Sequence, residues 1–231
     1  MSRFFSEKYS RLKAYVPGEQ PQERPFIKLN TNESPYPPLP EVALAVAAEA
    51  ERLNLYSDPE SRALRTLLAE RLGVGPENLL MTNGSDEILN FAFMAFCDDA
   101  HPAVFADVTY GFYPVFAAID QVPWREIPLR EDLTLDPADY TYAGGTIFIA
   151  NPNAPTALAL SREEIRRILE ANRDQVVVID EAYVDFGAES CVPLIREYDN
   201  LLVTQAFSKS RPPLQDKGSM PHALRSFFIS G

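Results

Sequence analysis

Two stretches of this chain are apolar at almost every position: Gln175–Asp180 (Q-V-V-V-I-D) and Asn200–Thr204 (N-L-L-V-T). A strand with one wet face alternates polar and apolar residues, so a continuous apolar run of this length belongs to a strand covered on both faces. Helices supply that cover, and helical patterns lie between the strand-like runs. The periodicity predicts helices over about Leu39–Leu53 and Pro59–Leu72, the second stopped by Gly73. It then predicts a strand at Asn78–Met81, a helix at Ser85–Cys97, a strand at Ala103–Ala106 and a helix at Gly111–Ile119. A strand at Thr146–Ala150 and a helix at Ser161–Ala171, opened by the capping pattern S-R-E-E, follow. Strands alternating with helices give an α/β fold with a mainly parallel sheet and flanking helices.

Composition narrows the function classes. Hydrophobic residues make up 46% of the 231, enough for a sizeable core. A net charge of −12 argues against a general nucleic-acid binder, which needs clustered Lys and Arg, but not against a small phosphorylated ligand. The two cysteines, Cys97 and Cys191, and two histidines have neither disulfide-scaffold nor zinc-ligand spacing, so no metal is expected. No apolar run reaches membrane-span length and no secretory signal opens the chain, so a cytoplasmic protein is expected. Prolines crowd the first forty residues (Y-V-P-G-E-Q-P, S-P-Y-P-P-L-P), which predicts an extended arm over 1–40.

Parallel sheets bind ligands beyond the carboxyl ends of their strands, so the residues that follow each strand are the candidates. The first strand leads into T-N-G-S-D-E, where Gly84 allows close backbone approach and Ser85 and Asp86 open a helix, a geometry that suits an anion; a plain helix cap reads equally well. Next comes T-Y-G-F-Y-P, in which Tyr110 either covers a planar ligand or packs with its hydroxyl satisfied. The turn N-P-N-A-P-T displays Asn151 and Asn153, as amide donors or as turn formers. Asp180 ends a buried strand and needs a partner, be it a ligand cation, a salt bridge or a helix end; Tyr183 stands three residues on. Lys209 follows Ser208 just past the last strand, where a desolvated amine forms Schiff bases and a solvated one does nothing.

The order of these sites, phosphate turn, ring tyrosine, asparagine turn, aspartate, lysine, is similar to that of the fold-type I pyridoxal-phosphate aminotransferases. The wording K-L-N-T-N-E-S-P-Y-P-P, Y-S-D-P-E-S-R-A-L-R, D-E-A-Y and F-S-K-S resembles the histidinol-phosphate aminotransferase family in particular, over roughly Tyr15 to Arg211. The resemblance implies the large domain of that fold over 41–211, with pyridoxal 5'-phosphate as cofactor and Lys209 as the Schiff-base lysine and proton carrier. It implies Asp180 on the pyridine nitrogen, Tyr183 and Asn153 on the ring oxygen, and Tyr110 on the ring face. Ser85, Asp86 and Ser208 would hold the cofactor phosphate. Tyr56 would reach the phosphate site of a neighbouring subunit in a homodimer, and Tyr15 would approach the substrate phosphate. The implied reaction is transamination of histidinol phosphate with 2-oxoglutarate in histidine biosynthesis, glutamate being the amino donor in the other direction. Another fold-type I aminotransferase for aromatic or phosphorylated amino acids, or an inactive fragment, is the alternative.

Two departures stand out. The family commonly reads N-P-T-G, whereas here Ala154 precedes the proline and Ala157 replaces the glycine. After Arg211 the family pattern S-L-A-G-L-R-x-G gives way to P-P-L-Q-D-K-G, a divergent tail over 212–231. Codons for Pro212–Asp216 can spell Ser-Leu-Ala-Gly in another frame. The expectation is therefore a frameshift after Arg211, a product truncated past its lysine with the C-terminal small domain missing, and weak turnover.

Overall fold

The computed structural model describes residues 3–4, 6–9, 12, 19, 27, 29–34 and 36–209, together with the backbone of 226–230. A short 3-10 turn, Glu7–Tyr9, precedes helices α1 (Pro40–Ala50) and α2 (Arg62–Leu72). Strand β1 (Leu79–Thr82), helix α3 (Ser85–Phe96), strand β2 (Ala103–Ala106), helix α4 (Tyr113–Asp120) and strand β3 (Trp124–Ile127) follow. Strand β4 (Thr146–Ala150), helix α5 (Arg162–Ala171), β5 (Val177–Asp180), β6 (Leu201–Ala206) and β7 (Ser226–Ser230) complete the order.

The strands form one seven-stranded sheet in the order β1-β7-β6-β5-β4-β2-β3. Neighbours from β3 to β6 pair in parallel, for example Val178 with Leu202 and Phe148 with Val178. β7 runs antiparallel to both β1 and β6, with Phe228 opposite Leu80 on one side and Thr204 on the other. β1 therefore runs in the same direction as β6, and only β7 is reversed.

The apolar runs are covered on both faces, as their lack of alternation requires. Every residue of β2, β4, β5 and β6 is buried. Because strand side chains alternate, Val177 and Ile179 pack with α2 and α5 through Leu68, Ile165 and Ile168 on one face. Val178 and Leu202 pack on the other face with α3 and α4 through Leu89, Phe93 and Phe116. Phe93 stacks on Phe148 with ring centroids 4.1 Å apart, tying α3 to the sheet centre.

Most expected elements are present with ends moved by one to three residues. The helix expected from Leu39 to Leu53 stops at Ala50, after which the chain turns, and α4 begins at Tyr113 instead of Gly111 because Pro114 suits only a first helical turn. β3 and β7 are additions. β3 escapes a hydrophobic pattern search because it is the sheet's outer strand: of W-R-E-I only Ile127 is buried. β7 lies in the divergent tail, where no strand was expected.

Candidate active site

The carboxyl ends of β1, β2, β4, β5 and β6 meet along one edge of the sheet, and the five sequence clusters gather there. Gly84 ends the turn after β1 at φ 90°, a conformation that costs a glycine little, and open space surrounds its α-carbon. It is the N-cap of α3 and supplies no side-chain cap, so neither Ser85 nor Asp86 is spent as a cap. The N–H groups of the first turn point outward, where an anion would be stabilised.

Asp86 instead accepts a 2.5 Å hydrogen bond from the Tyr110 hydroxyl, joining the turn after β1 to the loop after β2. Burial first, and Asp86 second, push the Tyr110 hydroxyl well above its usual range, so it keeps its proton and donates. The ring lies 5.7 Å from Phe112, stacked, and meets Tyr113 edge-on at 5.6 Å.

Asp180, the last residue of β5, is 5% exposed. Its Oδ1 accepts from the Thr204 hydroxyl at 3.0 Å and the Ala182 amide at 3.2 Å, and its Oδ2 from the Tyr113 hydroxyl at 3.3 Å. Burial raises its pKa above the ordinary carboxylate value; hydrogen bonds from Thr204, Ala182 and Tyr113 pull it back down. Among the described residues neither a salt bridge nor a helix end answers this carboxylate. It is held by neutral donors and shares its surroundings with Asp86, which raises it further.

Beside it, Glu181 is 1% exposed and is a structural clamp. It accepts from Ser190 and from Gln205 of β6, each at 2.7 Å, and from the Cys191 amide. Burial raises its pKa too. Tyr183 follows in the same loop. Its hydroxyl oxygen accepts from the Asn32 side-chain amide at 3.0 Å, which leaves the hydroxyl proton available for donation. Lys209 Nζ stands 5.9 Å from the centre of the Tyr183 ring, within reach of the ring's negative face. Among the described residues no group of three or more His, Cys, Asp or Glu is arranged to hold a metal ion.

A buried acid at a strand end, a tyrosine and a lysine that follow neighbouring strands, and a helix start thus share one end of the sheet. The profile of aminotransferase class I and II matches residues 24–211. This chain belongs to the aminotransferase class I and II family. It is 52% identical to the histidinol-phosphate aminotransferase of Acetobacter pasteurianus and 50% identical to histidinol-phosphate aminotransferase 1 of Bradyrhizobium diazoefficiens. Each match takes in 91% of this chain and 60% of the relative, so the chain spans about 60% of the length of these curated relatives. In fold it is similar to the crystal structure of histidinol-phosphate aminotransferase from Sinorhizobium meliloti in complex with pyridoxal-5'-phosphate. The TM-score is 0.76 at 24% identity, over 87% of this chain and 55% of that one. The fold is thus that of the large domain of fold-type I aminotransferases, a mainly parallel sheet with flanking helices.

Ser85, Asp86, Tyr110, Asp180, Tyr183 and Lys209 lie at or just after the carboxyl ends of β1, β2, β5 and β6, with Tyr110 bonded to Asp86 and Lys209 over the Tyr183 ring, and Ser208 is exposed beside Lys209. Asn153 is differently employed. Its amide nitrogen donates to Val108 O at 2.9 Å and to the Thr156 hydroxyl at 3.3 Å, while its oxygen accepts from Thr109 at 2.8 Å. The bonds with Val108 and Thr109 tie the asparagine turn to the loop after β2, while the second amide hydrogen stays within the turn on Thr156. Tyr56 is fully exposed. Tyr15 lies outside the described residues. Sequence reasoning passed over Tyr113, Thr204 and Asn32. Tyr113 stands one helical turn after Tyr110, Thr204 is the strand residue paired with Asp180, and Asn32 sits in the quoted K-L-N-T-N-E-S run.

Proposed function

We propose that this chain carries the cofactor-binding part of an aminotransferase that uses pyridoxal 5'-phosphate to transaminate histidinol phosphate with 2-oxoglutarate. The observation that carries the reading is Asp180: a carboxylate 5% exposed, with no basic partner among the described residues, at the sheet edge that Tyr183 and Lys209 share. Such a group needs a cation to offset its desolvation, and a protonated ring nitrogen is one. The donor set fits the cofactor on other sides as well. The α3 start, with Ser85, Asp86 and Ser208, suits its phosphate, Tyr110 offers a ring face, and Tyr183 holds a hydroxyl proton for the ring oxygen. Relatives about half identical that bear the histidinol-phosphate name support the substrate.

When bound, the cofactor supplies an electron sink for charge that develops at the substrate carbon. Lys209 would anchor it and then carry the proton to and from that carbon with Nζ. Asp180 would keep the ring nitrogen protonated by placing negative charge beside it. Tyr183, fixed by Asn32, would donate to the ring oxygen, and Asn153 would act at one remove by holding the loop that presents Tyr110. Tyr15 would approach the substrate phosphate. The exposed Tyr56, among exposed Leu53 and Leu55, supports a second subunit at this face and hence a homodimer. Both cysteines are free and buried, which suits a reducing cytoplasm.

The test is to incubate the protein with pyridoxal 5'-phosphate, reduce with borohydride and map the modified peptide. The cofactor mass is expected on Lys209 and is expected to vanish in Lys209→Ala; label spread over surface lysines would sink the assignment. Histidinol phosphate should then bleach the cofactor absorbance of the unreduced protein, with aromatic amino acids as the competing substrates.

A further inference from the structure

Asp180 can be read lone pair by lone pair. A carboxylate offers about four acceptor positions. Oδ1 is filled by Thr204 and the Ala182 amide, whereas Oδ2 holds only Tyr113, at 3.3 Å. One acceptor position on Oδ2 is therefore unused among the described residues, in a carboxylate that is 5% exposed.

The Tyr113 hydroxyl reaches that oxygen from within the protein. Its ring is wholly buried and lies 5.6 Å from Phe105, 5.8 Å from Phe148 and 6.4 Å from Phe93. Packing on all sides fixes the direction of the hydroxyl, and burial holds its proton in place. Thr204 is pinned as firmly, on a strand buried along its length. The two hydroxyls come from different elements, α4 and β6, and each engages a different carboxylate oxygen. Together they fix the rotation of the carboxyl plane.

We infer that Tyr113 is a positioning residue for the cofactor: its hydroxyl, with that of Thr204, holds Asp180 ionised and turned so that the remaining acceptor position on Oδ2 meets the ring nitrogen. The inference rests on the cofactor reading above and adds a residue that never touches the cofactor. Without the Tyr113 proton, Oδ2 would be more basic and free to rotate. The proton shared with the ring nitrogen would then move toward Asp180, and the ring would lose the positive charge that makes it an electron sink. Among the described residues, the titratable groups that act on Asp180 are Asp86 from α3, Tyr110 from the loop before α4 and Tyr113 from α4. Tyr113→Phe removes only the Tyr113 hydroxyl and leaves Asp86 and Tyr110 in place.

The experiment follows the Asp180 carboxyl carbon by NMR in the full chain labelled with carbon-13 aspartate, first without cofactor, with the signal assigned by Asp180→Asn. Tyr113→Phe keeps the ring and loses the hydroxyl. Its Asp180 midpoint is expected to rise by about one pH unit, the effect of losing one hydrogen bond to a charged group. Thr204→Val is expected to shift it in the same direction and serves if Tyr113→Phe does not fold. A drop in melting temperature with an unmoved midpoint would make Tyr113 a packing residue only and overturn the inference. With pyridoxal 5'-phosphate added, Tyr113→Phe should bind roughly tenfold more weakly, in line with the same lost bond. It should also show a nitrogen-15 ring shift toward the unprotonated form, and an unchanged ring shift likewise overturns the inference. Failure of the unaltered protein to take up cofactor would count against the proposed function instead, while the carboxyl titration would still decide whether Tyr113 governs Asp180.

Discussion

Ala157 adopts φ 58°, in the left-handed region where a β-carbon crowds the backbone, at the position where the family commonly has glycine. The residue is exposed, so its methyl group adds little packing that would offset this strain. Ala157→Gly should raise stability by about 0.5–1 kcal/mol, because relief of the left-handed strain exceeds the entropy glycine adds to the unfolded chain. Urea unfolding of the two proteins measures it; equal or lower stability would show that the turn carries no such strain. Asp180 yields a pH prediction of definite sign. Its folded-state pKa is raised, so between the unfolded value of about 4 and the raised folded value the native state binds more protons. Its contribution to stability is thus greatest in acid and falls as pH rises through that window. Asp180→Asn cannot ionise, so the stability of the cofactor-free protein relative to this variant should decline from pH 4 upward, read by urea midpoints at stepped pH. A constant difference would mean the carboxyl is not desolvated. These two residues also mark how far sequence carries at this scale. The ordered strand-end residues were legible because strand ends of a parallel sheet must converge. The partners of Asp180 were not, since Tyr113 and Thr204 reach it only after α4 and β6 have packed.

Among the elements, α5 shows how a local signal becomes a fixed helix. Ser161 accepts from the Glu164 amide at 3.3 Å, and Glu164 returns a bond to the Ser161 amide at 2.7 Å, the reciprocal pair that S-R-E-E predicts. Ile165, Ile168 and Leu169 then face the sheet and are buried. Ser161→Ala should cost about 1 kcal/mol, the usual worth of a lost N-cap, without altering cofactor binding. Ile168→Ala should cost about 2–5 kcal/mol, since it leaves a cavity against β4 and β5. Thermal unfolding separates the two, and a smaller loss for Ile168→Ala than for Ser161→Ala would contradict this placement of α5. Helices of this kind are legible because cap and stripe lie within a dozen residues. β3 was not, because an outer strand needs only one buried face and Trp124, Arg125 and Glu126 are exposed.

At the scale of the whole molecule, β7 decides how the sheet is closed. β1 and β6 do not pair with each other; each pairs with β7, across registers Leu79–Ile229 and Thr204–Phe228. The strand lies beyond residue 211, where the family match ends, and its pairing with β1 joins residues distant in the chain. Local patterns carry no information about so distant a partner, which is why a tail read as divergent supplies an interior strand. Backbone hydrogen bonds set the consequence. An interior strand gives its N–H groups alternately to two neighbours, and a proline there removes one donor and places a ring against the ladder. Phe228→Pro should therefore detach β1 from β6. β1 would keep its packing against α2, but it would lose its ladder partner and its amides would become open to water. Hydrogen exchange is expected to speed up at Leu79–Thr82 and at residues 226–230, and also at β6 amides that face β7. Exchange at β2, β4 and β5 should stay slow, because their parallel pairing does not involve the tail. Uniformly faster exchange would mean that β7 is part of one cooperative unit with the whole sheet. Unchanged exchange at Leu79–Thr82 would show that the tail is not the strand that joins β1 to β6.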